Sequence, residues 1–165
     1  MAEATCTKEK HRMPEARVRK AWRVTVEGWD EAEFYFAHTA GEARMACWRA
    51  LDRERGLITK ITARRWKDKD ERLPVRSPIA DDLSEKEIHC LLHAFGVKEY
   101  EPWKAGYRDY FYTSASNEKM QNLVRKGLMH SGVEPCWGAH GHVYFHLTEL
   151  GKHVALSLTP LYSVR

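Results

Sequence analysis

Apolar residues recur along this chain at two different spacings, and this restricts the possible folds more than any other feature of the sequence. AWRVTV (21–26) and LITKITARRWK (57–67) alternate or are rich in β-branched residues, as half-buried strands are. In DDLSEKEIHCLLHAFG (81–96) the apolar residues recur at the third and fourth positions, as on one face of a helix. Short strands interleaved with short helices predict an α+β protein.

The first half of the chain predicts a ββαβ domain over residues 19–67. Residues 21–37 read as two strands around a turn that contains glycine, which is typical of a hairpin. Thr39 and Glu42 have the spacing of a capping box, and Gly56 is the expected end of the helix that follows. The segment after that glycine is the third predicted strand.

A charged segment separates the two halves of the sequence. KDKDERLPVRSP (67–78) holds two prolines and has no apolar period, so residues 68–80 are predicted to form a linker. Residues 1–18 are polar and charged without an apolar core, which predicts a disordered tail. A second domain is expected over residues 81–160.

The second half predicts three helices with a hairpin between the second and the third. Ser84 and Glu87 form another capping box at the start of the first of these helices. The remaining elements are expected at 117–127 for the next helix, 132–137 and 142–148 for the hairpin, and from Thr148 to about Leu158 for the last helix.

LVRKGLM (123–129), followed by a hairpin that ends LTELGK (147–152), resembles the recognition-helix end and wing of winged helix-turn-helix regulators of the MarR kind. The resemblance covers about 35 residues. It implies DNA contact from the recognition-like helix and from the tip of the wing. The corresponding residues here are Asn117, Lys119, Gln121, Asn122, Arg125, Lys126, His140 and His142.

Two features depart from that family. The family places a helix and a tight turn before the recognition helix, whereas YRDYFYTS (107–114) reads as packed aromatic loop or strand. Residues 81–165 carry 9 Lys/Arg and 10 Asp/Glu, a formal charge of −1, although a DNA-binding face must neutralise several phosphates.

The basic residues are concentrated in the first half. Residues 1–80 hold 18 Lys/Arg and 13 Asp/Glu, a formal charge of +5. Cations interleaved with aromatic residues suit a phosphate backbone and stacked bases, although they also suit a solvated sheet edge. We expect nucleic-acid contact from Arg64, Arg65 and Lys67, supported by a set that includes Arg23, Trp22, Trp29, Tyr35 and Trp66.

The sequence offers no clear catalytic or metal site. Cys136, His140, His142 and His146 crowd the predicted hairpin and His89 and His93 share a helix face, but no CxxC pair occurs. We expect these histidines to be exposed or half-buried side chains without a metal, and a zinc site is the alternative. No nucleotide-binding, hydrolase or metalloprotease motif occurs. We therefore expect neither an enzyme nor a cofactor.

The absence of an export signal and of a long apolar run predicts a cytoplasmic protein that does not enter membranes, with four free thiols. The whole chain also resembles the small accessory proteins of tailed phages and prophages. That resemblance implies, as the first expectation, a nucleic-acid-binding protein. The alternative is a protein-binding inhibitor of a host defence complex, as anti-CRISPR proteins are, or an adaptor. Residues 99–113 are rich in aromatics that either fill the core or contact a partner protein: Tyr100, Trp103, Tyr107 and Tyr110.

Overall fold

The computed structural model describes residues 16–163 and confirms the α+β class. Within those residues the chain forms eight strands and four α-helices, in this order: β1 (Arg17–Arg19), β2 (Ala21–Val26), β3 (Glu33–Phe36), α1 (Ala40–Ala50), β4 (Ile61–Arg65), β5 (Glu71–Leu73), α2 (Glu85–Ala94), β6 (Tyr110–Ser114), α3 (Glu118–Arg125), β7 (Met129–Ser131), β8 (His142–Leu147) and α4 (Glu149–Leu158).

The first sheet has the order β3-β2-β4, and every pairing in it is antiparallel. Helix α1 packs on one face of it, over a core that includes Val24, Cys47 and Ile61. Thr39 caps the helix as predicted by accepting a hydrogen bond from the Glu42 N–H at 3.2 Å. The Glu42 carboxylate accepts from the N–H of His38 rather than from that of Thr39. The hydrogen bond from the backbone to the Glu42 carboxylate is therefore made one residue earlier than the predicted capping box places it.

Helix α1 ends at Ala50, before the predicted stop at Gly56. Asp52 and Arg53 follow it with positive φ angles of 53° and 59°. The Arg53 N–H donates to the carbonyl of Trp48 at 3.0 Å, which closes the helix end. The predicted strand over 57–67 consequently begins only at Ile61, after a 3-10 turn over Leu57–Thr59.

The second sheet has the order β6-β8-β7, so the segment predicted as aromatic loop or strand is its edge strand. Helices α2, α3 and α4 enclose the larger core with this sheet, around Leu91, Leu123 and Phe145. The capping box of Ser84 and Glu87 is complete. The element that precedes α3 is a strand, so the described residues contain no helix-turn-helix at this position.

The first strand of the hairpin was predicted wrongly at 132–137 and lies instead at β7. Its register pairs Met129 with Leu147, and residues 132–141 form a loop. Local contacts close that loop: the Glu134 carboxylate accepts from the N–H of Gly141 at 2.8 Å, and the N–H of Gly132 donates to the carbonyl of Tyr144 at 2.7 Å. A loop held by local contacts is not visible in apolar periodicity.

The segment predicted as a linker over 68–80 is structured and joins the two halves. Its strand β5 pairs with β1, so the end of the predicted disordered tail is also ordered. Residues 1–15 of that tail lie outside the described residues. Arg17 and Arg19 on β1 reach across to the end of α4, where they donate hydrogen bonds to the carbonyls of Leu156, Thr159, Pro160 and Leu161. We call this arrangement the N-terminal clasp.

Candidate nucleic-acid interface

One face of the first sheet is covered by α1, and much of the other is open. Because side chains alternate along a strand, Trp22, Val24 and Val26 point towards the helix and Arg23 and Thr25 point away from it. The register sets Thr62 and Arg64 of β4 beside these two residues on the outer face. We call this surface the open face. It consists of Arg23, Thr25, Phe34, Thr62, Arg64 and Trp66.

Arg23 and Arg64 lie directly opposite each other on neighbouring strands. Both are exposed, and neither side chain makes an ion pair or hydrogen bond within residues 16–163. Together with Thr25 and Thr62, whose hydroxyls are 2.7 Å apart, they line a cleft of about 170 Å³. Like charges placed directly opposite each other destabilise a sheet, so this pair favours an anion between its members.

Aromatic rings flank the arginine pair on the open face. Phe34 is the cross-strand partner of Arg23 and is 51% exposed. Its ring meets Trp66 edge to face, with centroids 6.4 Å apart, and the Lys69 ammonium lies 5.7 Å from the Trp66 ring. The face therefore combines exposed rings with cations, which are the two components of a surface for unpaired bases and their phosphates.

Of the three principal N-terminal contacts predicted, Arg64, Arg65 and Lys67, the structure brings Arg64 to the open face, together with Arg23 and Trp66 of the supporting set. Arg65 points to the other side, where it donates to both carboxylate oxygens of Asp70 at 2.6 and 2.5 Å. This hydrogen bond from Arg65 lowers the pKa of Asp70 below its usual value and raises that of the guanidinium. Lys67 is exposed in a 3-10 turn after β4. Arg65 is thus occupied within the fold.

On the recognition-like helix, three of the predicted residues hold the structure together. The Asn117 side chain caps α3 by accepting from the N–H groups of Lys119 and Met120. Gln121 donates to the carbonyl of Ala115 at 2.7 Å. Lys126 donates to the carbonyl of Asp82 at 2.6 Å, and its ammonium lies 3.6 Å from the Glu87 carboxylate.

The remaining predicted residues of α3 leave a small cationic surface. Arg125 donates to the side chain of Asn122 on the same helix. Lys119 is exposed, and its side chain has no hydrogen bond or ion pair within the described part of the chain. Helix α3 therefore presents one unpaired ammonium and one guanidinium, which is weaker phosphate binding than the family resemblance implies.

The wing histidines are placed in the 132–141 loop and at its exit. The His140 ring is 2.7 Å from the Glu134 carboxylate, and its side chain is almost fully exposed. The Gly141 N–H, followed by His140, lowers the pKa of Glu134 below its usual value. His142 lies against Tyr112, with ring centroids 5.5 Å apart. Residues 16–163 contain no group of three or more His, Cys, Asp or Glu arranged to hold a metal ion.

A second exposed aromatic surface covers the outer side of the second sheet. Neighbouring rings are 4.8 to 6.5 Å apart between centroids. We call it the aromatic–histidine face. Its residues are Tyr110, Tyr112, His130, Trp137, His142, Tyr144 and His146. Of the other aromatics expected at a protein contact, Tyr100 and Tyr107 are 74% and 62% exposed, and Trp103 packs on Phe36.

The residues of the open face that the sequence did not identify are Thr25, Thr62 and the aromatic Phe34. The signal for Phe34 was present in EFYF (33–36), where Tyr35 faces α1 and aromatic residues stand on both of its sides. When a strand carries aromatic rings on both faces, other residues must pack over both faces, or at least one ring stays exposed. Phe36 is covered by Trp103 and by the Arg19 guanidinium, whereas Phe34 is not.

No protein-family model, no curated protein and no solved structure matches this chain. Within the described residues, none of the helices has the length and apolar character needed to cross a membrane.

Proposed function

We propose that this protein binds single-stranded nucleic acid on the open face of its first sheet. The observation that carries the proposal is the unpaired Arg23–Arg64 pair next to the exposed ring of Phe34. The guanidiniums hold successive phosphates, and Phe34 and Trp66 stack on unpaired bases. The excess of basic residues in the first half of the sequence supports this role, because it attracts a polyanion to this part of the molecule.

Single strands suit this surface better than a duplex. Stacking on a ring requires a base that is not already paired and stacked, and a duplex keeps its bases inside. The open face also lacks a protruding helix that could enter a major groove, because α1 lies on the opposite side of the sheet. We therefore expect weaker binding to a duplex of the same length.

The test is a fluorescence-anisotropy titration of a labelled random single strand and of a duplex, at about 50 and about 200 mM salt. With two or three phosphate contacts, affinity for the single strand should fall by about tenfold between these concentrations. Arg23→Ala and Arg64→Ala should each weaken binding and reduce the salt dependence. Lys86→Ala, an exposed cation on α2, is the matched control and should change neither quantity. No binding at the lower salt concentration contradicts the proposal.

The contribution of the aromatic rings is tested with Phe34→Ala. Loss of one stacked base costs about 1–3 kcal/mol of binding free energy, so affinity should fall by between about fivefold and about 150-fold. Trp137→Ala removes an exposed ring from the aromatic–histidine face and is the control. Equal losses in the two variants would mean that the open face is not the binding surface.

A second function, binding of a protein partner as an inhibitor or adaptor, is favoured by the aromatic–histidine face. Tyrosine and tryptophan are enriched at the centres of protein interfaces, and this face carries several adjacent rings with few fixed charges. Such binding is largely insensitive to salt. Capture of a host protein that Trp137→Ala abolishes and Arg64→Ala preserves would support this alternative.

A further inference from the structure

A second concave site lies on the far side of β3 from the arginine pair. It is a pocket of about 470 Å³ between α1 and the segment that follows α2. Its wall is formed by Tyr35, Arg49, Arg53, Tyr100, Trp103 and Ser163, together with Ala46 and Glu101. The volume is in the range that holds a small organic ligand.

Two arginines supply the positive charge of this pocket. Arg49 lies in the last turn of α1 and Arg53 in the turn that follows. Within residues 16–163, neither guanidinium makes a hydrogen bond or an ion pair. The acidic residue in the wall, Glu101, is paired with Lys104 at 2.5 Å. The pocket therefore keeps an uncompensated positive charge, which suits an anionic group.

Aromatic side chains supply the rest of the wall. Trp103 is held in place by Phe36, with ring centroids 5.8 Å apart. Tyr100 stays 74% exposed, while the Ser163 hydroxyl fixes its backbone by donating to the Tyr100 carbonyl at 2.7 Å. An indole held by Phe36 beside an exposed phenol is an arrangement that accepts a flat ring.

The backbone that presents Arg53 adopts an unfavourable conformation. Asp52 and Arg53 are consecutive residues in the left-handed region, and neither is glycine. Such a conformation costs about 1–2 kcal/mol per residue. The turn holds it next to the pocket, where strained residues often position a ligand-binding side chain.

The pocket is continuous with the open face. A further cleft beside β3 contains Phe34 of the open face and also Lys104, together with the carboxylates of Glu33, Glu71 and Glu101. It shares Tyr35, Glu101 and Trp103 with the pocket. A strand lying on Arg23, Arg64 and Phe34 can therefore pass around the edge of the sheet and end at Arg49 and Arg53, because Glu71 and Glu101 on this path are neutralised by Arg19 and Lys104.

We infer that this pocket binds a nucleoside monophosphate, with its base against Trp103 and Tyr100 and its phosphate on Arg49 and Arg53. The inference rests on the proposed function where the nucleotide is the phosphorylated end of a bound strand. A free mononucleotide carries the same chemistry and is the other source. The pocket then gives strands that end in a phosphate a higher affinity than the open face alone gives to any strand.

The experiment compares four probes on the full chain. The first three are labelled ten-nucleotide strands of identical sequence that differ only at their ends. One has hydroxyl ends, one carries a 5′-phosphate and one carries a 3′-phosphate, and their binding is measured by anisotropy. The fourth is adenosine 5′-monophosphate, measured by isothermal titration calorimetry. The Arg49→Ala/Arg53→Ala double variant removes the phosphate contacts. Arg55→Ala is the matched control, because Arg55 is an exposed arginine of the same turn that does not line the pocket.

We expect one phosphorylated strand to bind about tenfold more tightly than the hydroxyl strand, and the double variant to remove that difference. The hydroxyl strand should bind the double variant and the parent equally, because it depends on Arg23 and Arg64. Equal binding of all three strands, without binding of the mononucleotide, overturns the inference and leaves the proposed function intact. An equal loss for all three strands in the double variant overturns it as well.

If no strand binds, the proposed function is contradicted, and the titration with adenosine 5′-monophosphate alone tests whether the pocket binds a nucleotide. Binding of adenosine 5′-monophosphate that the double variant abolishes and Arg55→Ala preserves supports a site for the free nucleotide. Absence of such binding overturns it.

Discussion

Arg64 and Arg65 are neighbours in the sequence, yet their side chains leave β4 on opposite faces and have different partners. Arg64 is exposed and unpaired within residues 16–163, whereas Arg65 is held by Asp70 and by the carbonyl of Ala21 at 2.9 Å. A composition-based argument treats the two residues alike. The side on which a strand residue points, and the partner that it meets there, decide whether a cation is available to a ligand.

This difference gives a prediction for the residue scale. Arg65→Ala should reduce the free energy of unfolding by about 1–3 kcal/mol, because it removes charge-assisted hydrogen bonds and leaves Asp70 without its main partner. Arg64→Ala should change stability by about 0.5 kcal/mol or less, since Arg64 is an exposed side chain without contacts. Urea denaturation of the two variants measures both values. A larger loss for Arg64→Ala would contradict these assignments.

Asp70 also gives a pH dependence with a definite sign. Because its pKa is lowered in the folded chain, the unfolded chain binds the proton first as the pH falls. The stabilisation is complete above the unfolded pKa of about 4 and is lost as the pH falls through the lower folded pKa. Asp70→Asn should therefore flatten the stability profile between about pH 5 and pH 3. An unchanged difference from the parent across that range would contradict the pairing.

At the scale of elements, apolar period and capping residues identified all four helices and strand β2. They failed where a few local hydrogen bonds without a regular period determine the chain path, as in the 132–141 loop. They also failed in the predicted linker, where β5 has only three residues and pairs with a strand from the other end of the first half. A pairing between short, distant and charged segments leaves no periodic signal.

The LTELGK stretch has a physical explanation that does not depend on any family. Thr148 donates its hydroxyl to the carbonyl of Gly127 at 2.7 Å and caps α4 by accepting from the N–H of Gly151. A Cβ atom at Gly151 would lie 2.0 Å from the carbonyl oxygen of Leu128. Only glycine lets the first turn of α4 approach the end of α3 this closely.

Gly151→Ala should therefore destabilise the protein by about 1–3 kcal/mol or more, because the clash is with backbone and cannot be relieved by a side-chain rotation. Gly41→Ala is the matched control, since Gly41 also lies in the first turn of a helix and its Cβ would have a 3.8 Å contact at closest. Alanine favours the helix there by up to about 1 kcal/mol. Thermal denaturation of the two variants should show opposite shifts.

At the scale of the whole molecule, the N-terminal clasp joins regions that the sequence assigned to separate domains. Arg19 is 2% exposed, and its guanidinium binds Glu71 as well as two carbonyls near the end of the chain. Removing it takes away a buried, packed side chain and leaves its partly buried acceptors without this donor. Arg19→Ala should cost about 2–4 kcal/mol of unfolding free energy.

The clasp also predicts how the chain unfolds. The two sheets should unfold in one transition in the parent protein, so that near-ultraviolet and far-ultraviolet circular dichroism give the same midpoint in urea. In Arg19→Ala the two probes should separate, because the halves keep their own cores but lose hydrogen bonds between them. Two separated transitions in the parent would show that the clasp does not couple the halves.

The same clasp determines how the molecule resists tension. It holds β1 against residues 156–161, so the two ends of the described chain lie side by side. A pulling force applied to those ends, for example by a protease that threads one of them into a pore, acts first on these hydrogen bonds. The pairing of β1 with β5 shares this load, so the clasp and that pairing together set the force at which mechanical extraction begins, before the two three-stranded sheets are loaded.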